Sequence, residues 1–145
     1  MKYDDASWHF EGDYPPGLPE ENATTHIGMF FKWCICQNLY SEELAEDDEG
    51  EIKKVQSGEM TGAEFLLIWD GKLVDDMLSE QGNLFAADYY ASDDYLNDYC
   101  EVFSKKADGS GFEYPSLYHV EDAAENYDLM AKRIDERYRQ WQQSR

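Results

Sequence analysis

The chemistry open to this chain rests on three histidines and 32 acidic residues. They are densest near the start, where KYDDASWHFEGDYP (2–15) holds four aromatics, four acids and one histidine. Carboxylates beside imidazole can ligate a divalent metal or work as a general acid–base pair. His9 follows Asp4 by five residues and Asp5 by four, His26 stands near a helix start, and His119 precedes the last helix. No HExxH occurs, and no two histidines share a ligand spacing on one helix. Calcium loops fail as well: Gly50 at the sixth position puts Ala45 first and Gln56 twelfth, and a loop from Asp70 puts Val74 fifth. The expectation is capping or hydrogen-bonding histidines, with no metal and no cofactor. A metal-dependent hydrolase built on the N-terminal carboxylates with His9 or His26 is the alternative from another class.

Other catalytic signatures are missing. There is no G-x-S-x-G elbow, and DGSG (108–111) lacks the lysine and the strand-to-helix setting of a phosphate loop. Cys34 and Cys36 fall two apart in the most hydrophobic helix, so they face different ways and cannot pair. With Cys100 they read as reduced, buried thiols of a cytoplasmic protein. Lys2 is followed by Tyr3, Asp4 and Asp5, which is no signal peptide. The longest apolar run, 27–36, is interrupted by Lys32 and is too short to span a membrane. The pattern predicts a binding protein that is not an enzyme.

Charge indicates the partner. The 145 residues carry a net charge of −20, and 18 of the acids lie in 23–104 against four bases. Such a field repels nucleic acid and anionic membrane and speeds encounter with basic proteins. It also serves solubility on a solvated surface. An aromatic fraction of 15% sets the chain apart from disordered acidic sequences, so it should fold.

The positioning elements are mostly helices. Prolines and glycines in 11–21 mark a loop, and a helix over about 23–39 is apolar almost all round. Ser41 starts a second helix, with EDDEGE (46–51) as a solvated turn or frayed end. Thr61 and Glu64 form a capping box for a helix to about Trp69. A short helix is expected at 73–79, another from Gly82 to about Tyr90, and a further one capped by Ser92 or Asp93. The clearest helix is the last, where Val120, Ala123, Tyr127, Met130, Ile134, Tyr138 and Trp141 recur at three or four. The predicted class is mainly α: one domain over 1–145, a bundle of about five to seven helices with little or no sheet. Residues 1–22 are expected as an extended N-terminal strap, and 104–119 as a loop before the C-terminal helix. Tyr3, Trp8, Phe10 and Tyr14 follow neither a helical nor a strand period, which suits rings plugging gaps between helices.

A partner face is expected after Gly82. Tyr89 and Tyr90 are adjacent, so on a helix both cannot face one core, and at least one should be partly exposed beside acids. Tyr89, Tyr90, Asp93, Asp94 and Asp98 form the candidate contact: a ring to bury and carboxylates to meet Lys and Arg.

Several blocks carry a resemblance across nearly the whole chain: KYDDASWH, THIGMFFKW, TGAEFL before WDGKL, NLFAADYY and YPSLYHVEDAAENYD. In this order they resemble a bacterial family of small acidic proteins, whose members look like immunity partners of secreted antibacterial toxins. The resemblance implies a cytoplasmic protein that neutralises a cognate toxin by direct binding; it assigns no site residues. An acidic interaction module unrelated to toxins fits the same charge. Neither the target nor the oligomeric state follows from sequence.

Overall fold

A computed structural model of the chain describes residues 1–12, 14–103 and 116–144. Seven α-helices and one two-stranded sheet occur among the described residues, so the class is mainly α. At the centre lies α2 (Thr25–Cys36; α1 is given below), in which ten of twelve residues are buried. A helix this apolar must be surrounded, and its neighbours α3 (Glu42–Ser57), α4 (Gly62–Ile68) and α7 (Ala124–Gln143) pack against it.

The α2–α4 crossing is the tightest. A Cβ on Gly28 would lie 2.2 Å from the Ala63 backbone nitrogen, and one on Gly62 would lie 1.9 Å from the Gly28 carbonyl oxygen. Backbone therefore meets backbone, which only glycine permits at both positions. Thr61 caps α4 as the sequence predicts, its hydroxyl accepting from the Glu64 N–H and the Glu64 carboxylate accepting from the Thr61 N–H. Ser41 likewise caps α3, accepting from the Leu44 N–H. The 46–51 acids lie inside α3 rather than in a turn, and the helix is kinked at Asp48 (φ −132°, ψ 34°).

Two expected segments differ. Residues 73–79 form no α-helix: Lys72–Val74 is strand β2, followed by a 3₁₀ turn at Asp75–Met77. The N-terminal segment is no simple strap either. Lys2–Asp5 is strand β1, antiparallel to β2, with Asp4 opposite Leu73 and Asp5 opposite Lys72. Asp5 then caps α1 (Ala6–Phe10), its Oδ1 accepting from the Ser7 N–H at 2.9 Å. The Ala6 N–H donates to the Gly71 carbonyl, extending the pairing by one bond. β2 has only three residues, and its partner lies some seventy positions away in sequence, so local pattern cannot reveal the pairing.

Beyond β2 come α5 (Glu80–Tyr89), capped by Ser79, and α6 (Asp94–Val102). Of the loop expected over 104–119, residues 104–115 lie outside the described residues; Leu117–His119 is a 3₁₀ turn. On α7, Met130 and Ile134 from the predicted stripe are fully buried. No helix among the described residues is long and apolar enough to cross a membrane.

Gly28→Ala should be among the most damaging single-methyl additions. Forcing α2 and α4 apart should cost about 3 kcal/mol, and a thermal melt should show a drop of roughly 10 °C. An equal melting temperature would mean that the helices do not meet at this pair.

Candidate functional site

Four separate segments converge on one carboxylate. β1 delivers Asp4, α1 delivers His9, the first turn of α2 delivers His26, and the end of α5 delivers Tyr90. Because Asp5 is engaged by Ser7 and by Lys2 Nζ (2.9 Å), Asp4 alone turns into the cluster. It is 7% exposed.

Asp4 Oδ1 lies 2.7 Å from His9 Nε2 and accepts from the Asp5 N–H at 2.8 Å. Its Oδ2 accepts from the Tyr90 hydroxyl. The other ring nitrogen of His9, Nδ1, lies 2.9 Å from the Tyr118 hydroxyl. His26 is held by its backbone, its carbonyl accepting from the Tyr95 hydroxyl. Its ring sits edge-on to His9, with centroids 4.7 Å apart. Yet the ring is 2% exposed, and neither of its nitrogens has a hydrogen-bond partner among the described residues. Nε2 comes to 3.5 Å from Asp4 Oδ2 without forming a hydrogen bond. A cavity of about 220 Å³ adjoins the three side chains and is also lined by Trp8, Tyr90, Asp93 and Tyr95.

The electrostatics follow from this packing. Burial pushes the Asp4 carboxyl up, but His26 and His9 outweigh it and hold the group well below the usual carboxylate range. Asp4 is thus an anion at neutral pH. Burial lowers His26 against the opposing pull of Asp4, which favours the neutral ring. Tyr90 is raised well above its ordinary value by burial first and by the Asp4 charge second, so it stays a donor. A fixed anion, a neutral buried imidazole and a second imidazole at hydrogen-bond distance can ligate a cation or relay a proton.

The partner face expected from sequence is largely internal. Tyr89 and Tyr90 are both buried, at 4% and 7% exposure. Tyr90, the C-cap of α5, still has helical dihedrals (φ −78°, ψ −50°), but the last turn is covered on two sides, so both adjacent rings find an interior. The two hydroxyls then reach different buried acids: Tyr90 donates to Asp4, and Tyr89 donates to Asp98 at 2.7 Å. Asp98 is buried too, and α7 claims it, with Arg137 donating from Nε (2.8 Å) and Nη2 (2.9 Å) and Arg133 from Nη1 (3.0 Å). Asp93 and Asp94 are exposed; Asp93 begins α6 in a left-handed conformation (φ 72°).

The sequence sets the N-terminal carboxylates with His9 or His26 as alternatives; both histidines meet Asp4, and Asp5 is engaged elsewhere. Tyr118 and Arg133 went unremarked. His119 stays apart from the cluster, its Nδ1 2.7 Å from Ser116 Oγ within its own turn, as expected of a hydrogen-bonding histidine. Cys34 is buried and Cys36 exposed, so the expectation of uniformly buried thiols holds for the first only.

Fold and site together define an acidic, mainly helical protein with a buried Asp–His–His cluster beside a cavity. The chain belongs to the family described as a domain of unknown function (DUF7832), whose model matches residues 2–120. That stretch contains Asp4, His9, His26, Tyr90 and Tyr118, whereas α7 with Arg133 and Arg137 lies beyond it. Comparison with curated proteins and with solved structures gave no match.

Asp98→Asn should expose the cost of unpairing the two arginines. Burial raises the Asp98 carboxyl, but Arg137, Tyr89 and Arg133 together hold it below its ordinary value. Its contribution to stability is therefore present above the unfolded carboxylate range, near pH 4, and is lost as pH falls through the lower folded value. Because the Arg137 side chain is 41% exposed, water screens part of the pair. Denaturant unfolding should show a deficit of about 3 kcal/mol for the variant from pH 5 to 8, narrowing below about pH 4. A deficit that does not change with pH would contradict the ion-pair origin.

Proposed function

We propose that this protein works by binding a basic protein partner, and that the partner is a cognate antibacterial toxin which it neutralises as a non-enzymatic immunity protein. The burial of Tyr89, Tyr90 and Asp98 moves the contact away from α5 and α6. The observation that carries the reading is an apolar ledge beside the acidic helix α3. Leu67, Ile68 and Trp69, at the end of α4, are 47%, 55% and 39% exposed. Trp69 Nε1 donates to Asp48 Oδ2 at 3.2 Å, which ties the ledge to the acids of α3. Glu46, Asp47 and Glu49 are exposed on that helix.

Three consecutive large apolar side chains in water need a reason, and a tryptophan rimmed by carboxylates has the make-up of an interface hot spot. Arg133 and Arg137 face the buried Asp98. The net −20 would steer a basic surface inward. The toxin as the particular partner comes from the family resemblance and the charge.

The test is co-expression with the product of the neighbouring gene. A complex at low salt and rescue of growth are expected. Trp69→Ala should weaken binding roughly thirtyfold through slower capture and faster release, about 2 kcal/mol. Asp47→Lys with Glu46→Lys should slow association and flatten its salt dependence. Absence of both complex and rescue would refute the reading.

A further inference from the structure

We infer that Asp4, His9 and His26 form a binding site for one divalent transition-metal cation, with further coordination positions open to the adjoining cavity. This inference is independent of the partner-binding reading above.

Three observations carry it. The first is His26. Buried polar groups almost always find partners, yet neither nitrogen of this ring has a hydrogen-bond partner among the described residues. A lone pair with no donor, 3.5 Å from a carboxylate, is what a cation would satisfy. The second is spacing. One ligand atom from each of the three residues fits within a 4.8 Å span. Ligands on bonds of about 2.0–2.2 Å sit roughly 3–3.5 Å apart, so modest side-chain adjustment closes the shell. The third is the surrounding shell. Ligating histidines usually pass their other N–H to a fixed acceptor, and ligating carboxylates are themselves hydrogen-bonded. Tyr118 stands at His9 Nδ1, and Tyr90 and the Asp5 N–H hold the two oxygens of Asp4.

The donor set selects the ion class. Two imidazoles and one carboxylate, without thiolate, suit Zn²⁺, Fe²⁺ or Co²⁺; Ca²⁺ and Mg²⁺ prefer shells of oxygen. His9 Nε2 and Asp4 Oδ1, 2.7 Å apart, are bridged by a proton. The cation would take its place and that proton would move to Nδ1, from which the neutral His9 ring would donate to the Tyr118 oxygen. Each ligand comes from a different element (β1, α1, α2), so occupancy would also fasten the N-terminal segment to the helical body.

Protein stripped with a chelator and titrated with Co²⁺ tests the inference, with zinc as competitor. One cobalt per chain is expected, with visible bands of nitrogen and oxygen ligation and no thiolate charge transfer. Zinc should displace it and raise the melting temperature in a concentration-dependent way. Ca²⁺ and Mg²⁺ at the same concentrations should do neither. His9→Gln and His26→Gln should weaken binding at least a hundredfold. Tyr118→Phe, which removes one hydroxyl and no ligand, should weaken it about tenfold and serves if the histidine variants do not fold. Binding that is unchanged in Tyr118→Phe and His9→Gln, a thiolate band, or equal binding of Ca²⁺ would each overturn the inference; the last would assign the cations to the acidic surface.

Discussion

The structure turns on a buried carboxylate. Asp4 is an anion in the interior, and such a group is tolerable only if its surroundings compensate it. Compensation comes from His9, Tyr90, the Asp5 N–H and the nearby His26, which belong to four different parts of the chain. Satisfying Asp4 therefore fixes where β1 runs, how α1 leaves it, and how the first turn of α2 and the C-cap of α5 are seated. The Gly28–Gly62 crossing sets α2 in place two residues from His26. Among the described residues the ring nitrogens of His26 have no hydrogen-bond partner, which is what makes the cluster more than a structural knot.

A second buried acid works differently. Asp98 meets two guanidinium groups and a phenol, a closed set in which donors and acceptors are matched. It joins α6 to α7. Adjacent tyrosines serve the two acids in parallel, Tyr89 on Asp98 and Tyr90 on Asp4. The contrast separates a clamp from a site: in one the buried carboxylate is matched by two arginines and a phenol, and in the other a buried ring stands without a hydrogen-bond partner among the described residues, beside a cavity.

Much of the helical framework was readable in advance. Ser41, and Thr61 with Glu64, act within three residues of themselves, and the Met130–Ile134 stripe repeats along a single helix, so local pattern sufficed. What escaped depends on distance in sequence. Lys72–Val74 is a strand because Lys2–Asp5 pairs with it, and nothing within three residues signals that. The 2–15 segment looked aperiodic because it changes from strand to helix at Asp5, which defeats any single period. Asp4, His9 and His26 were all noticed, but the contact between them is tertiary. Adjacency on a helix predicts at least one of Tyr89 and Tyr90 to be partly exposed, but the last turn of α5 is covered on two sides and both are buried, each on its own acid.

The outer surface and the inner cluster suggest separate tasks. α3 and the Leu67–Trp69 ledge present charge and apolar area together, the make-up of a surface for a basic protein. The Asp4 cluster is shielded from that surface chemistry by its own burial and would hold an ion whether or not a partner is bound. A metal fixed there would make the N-terminal segment an integral part of the fold. The most direct measurement is anomalous diffraction at the zinc edge from crystals equilibrated with zinc. One peak bonded to Asp4, His9 and His26 is the predicted result; peaks confined to Cys36 or surface carboxylates, with none at this cluster, would contradict it.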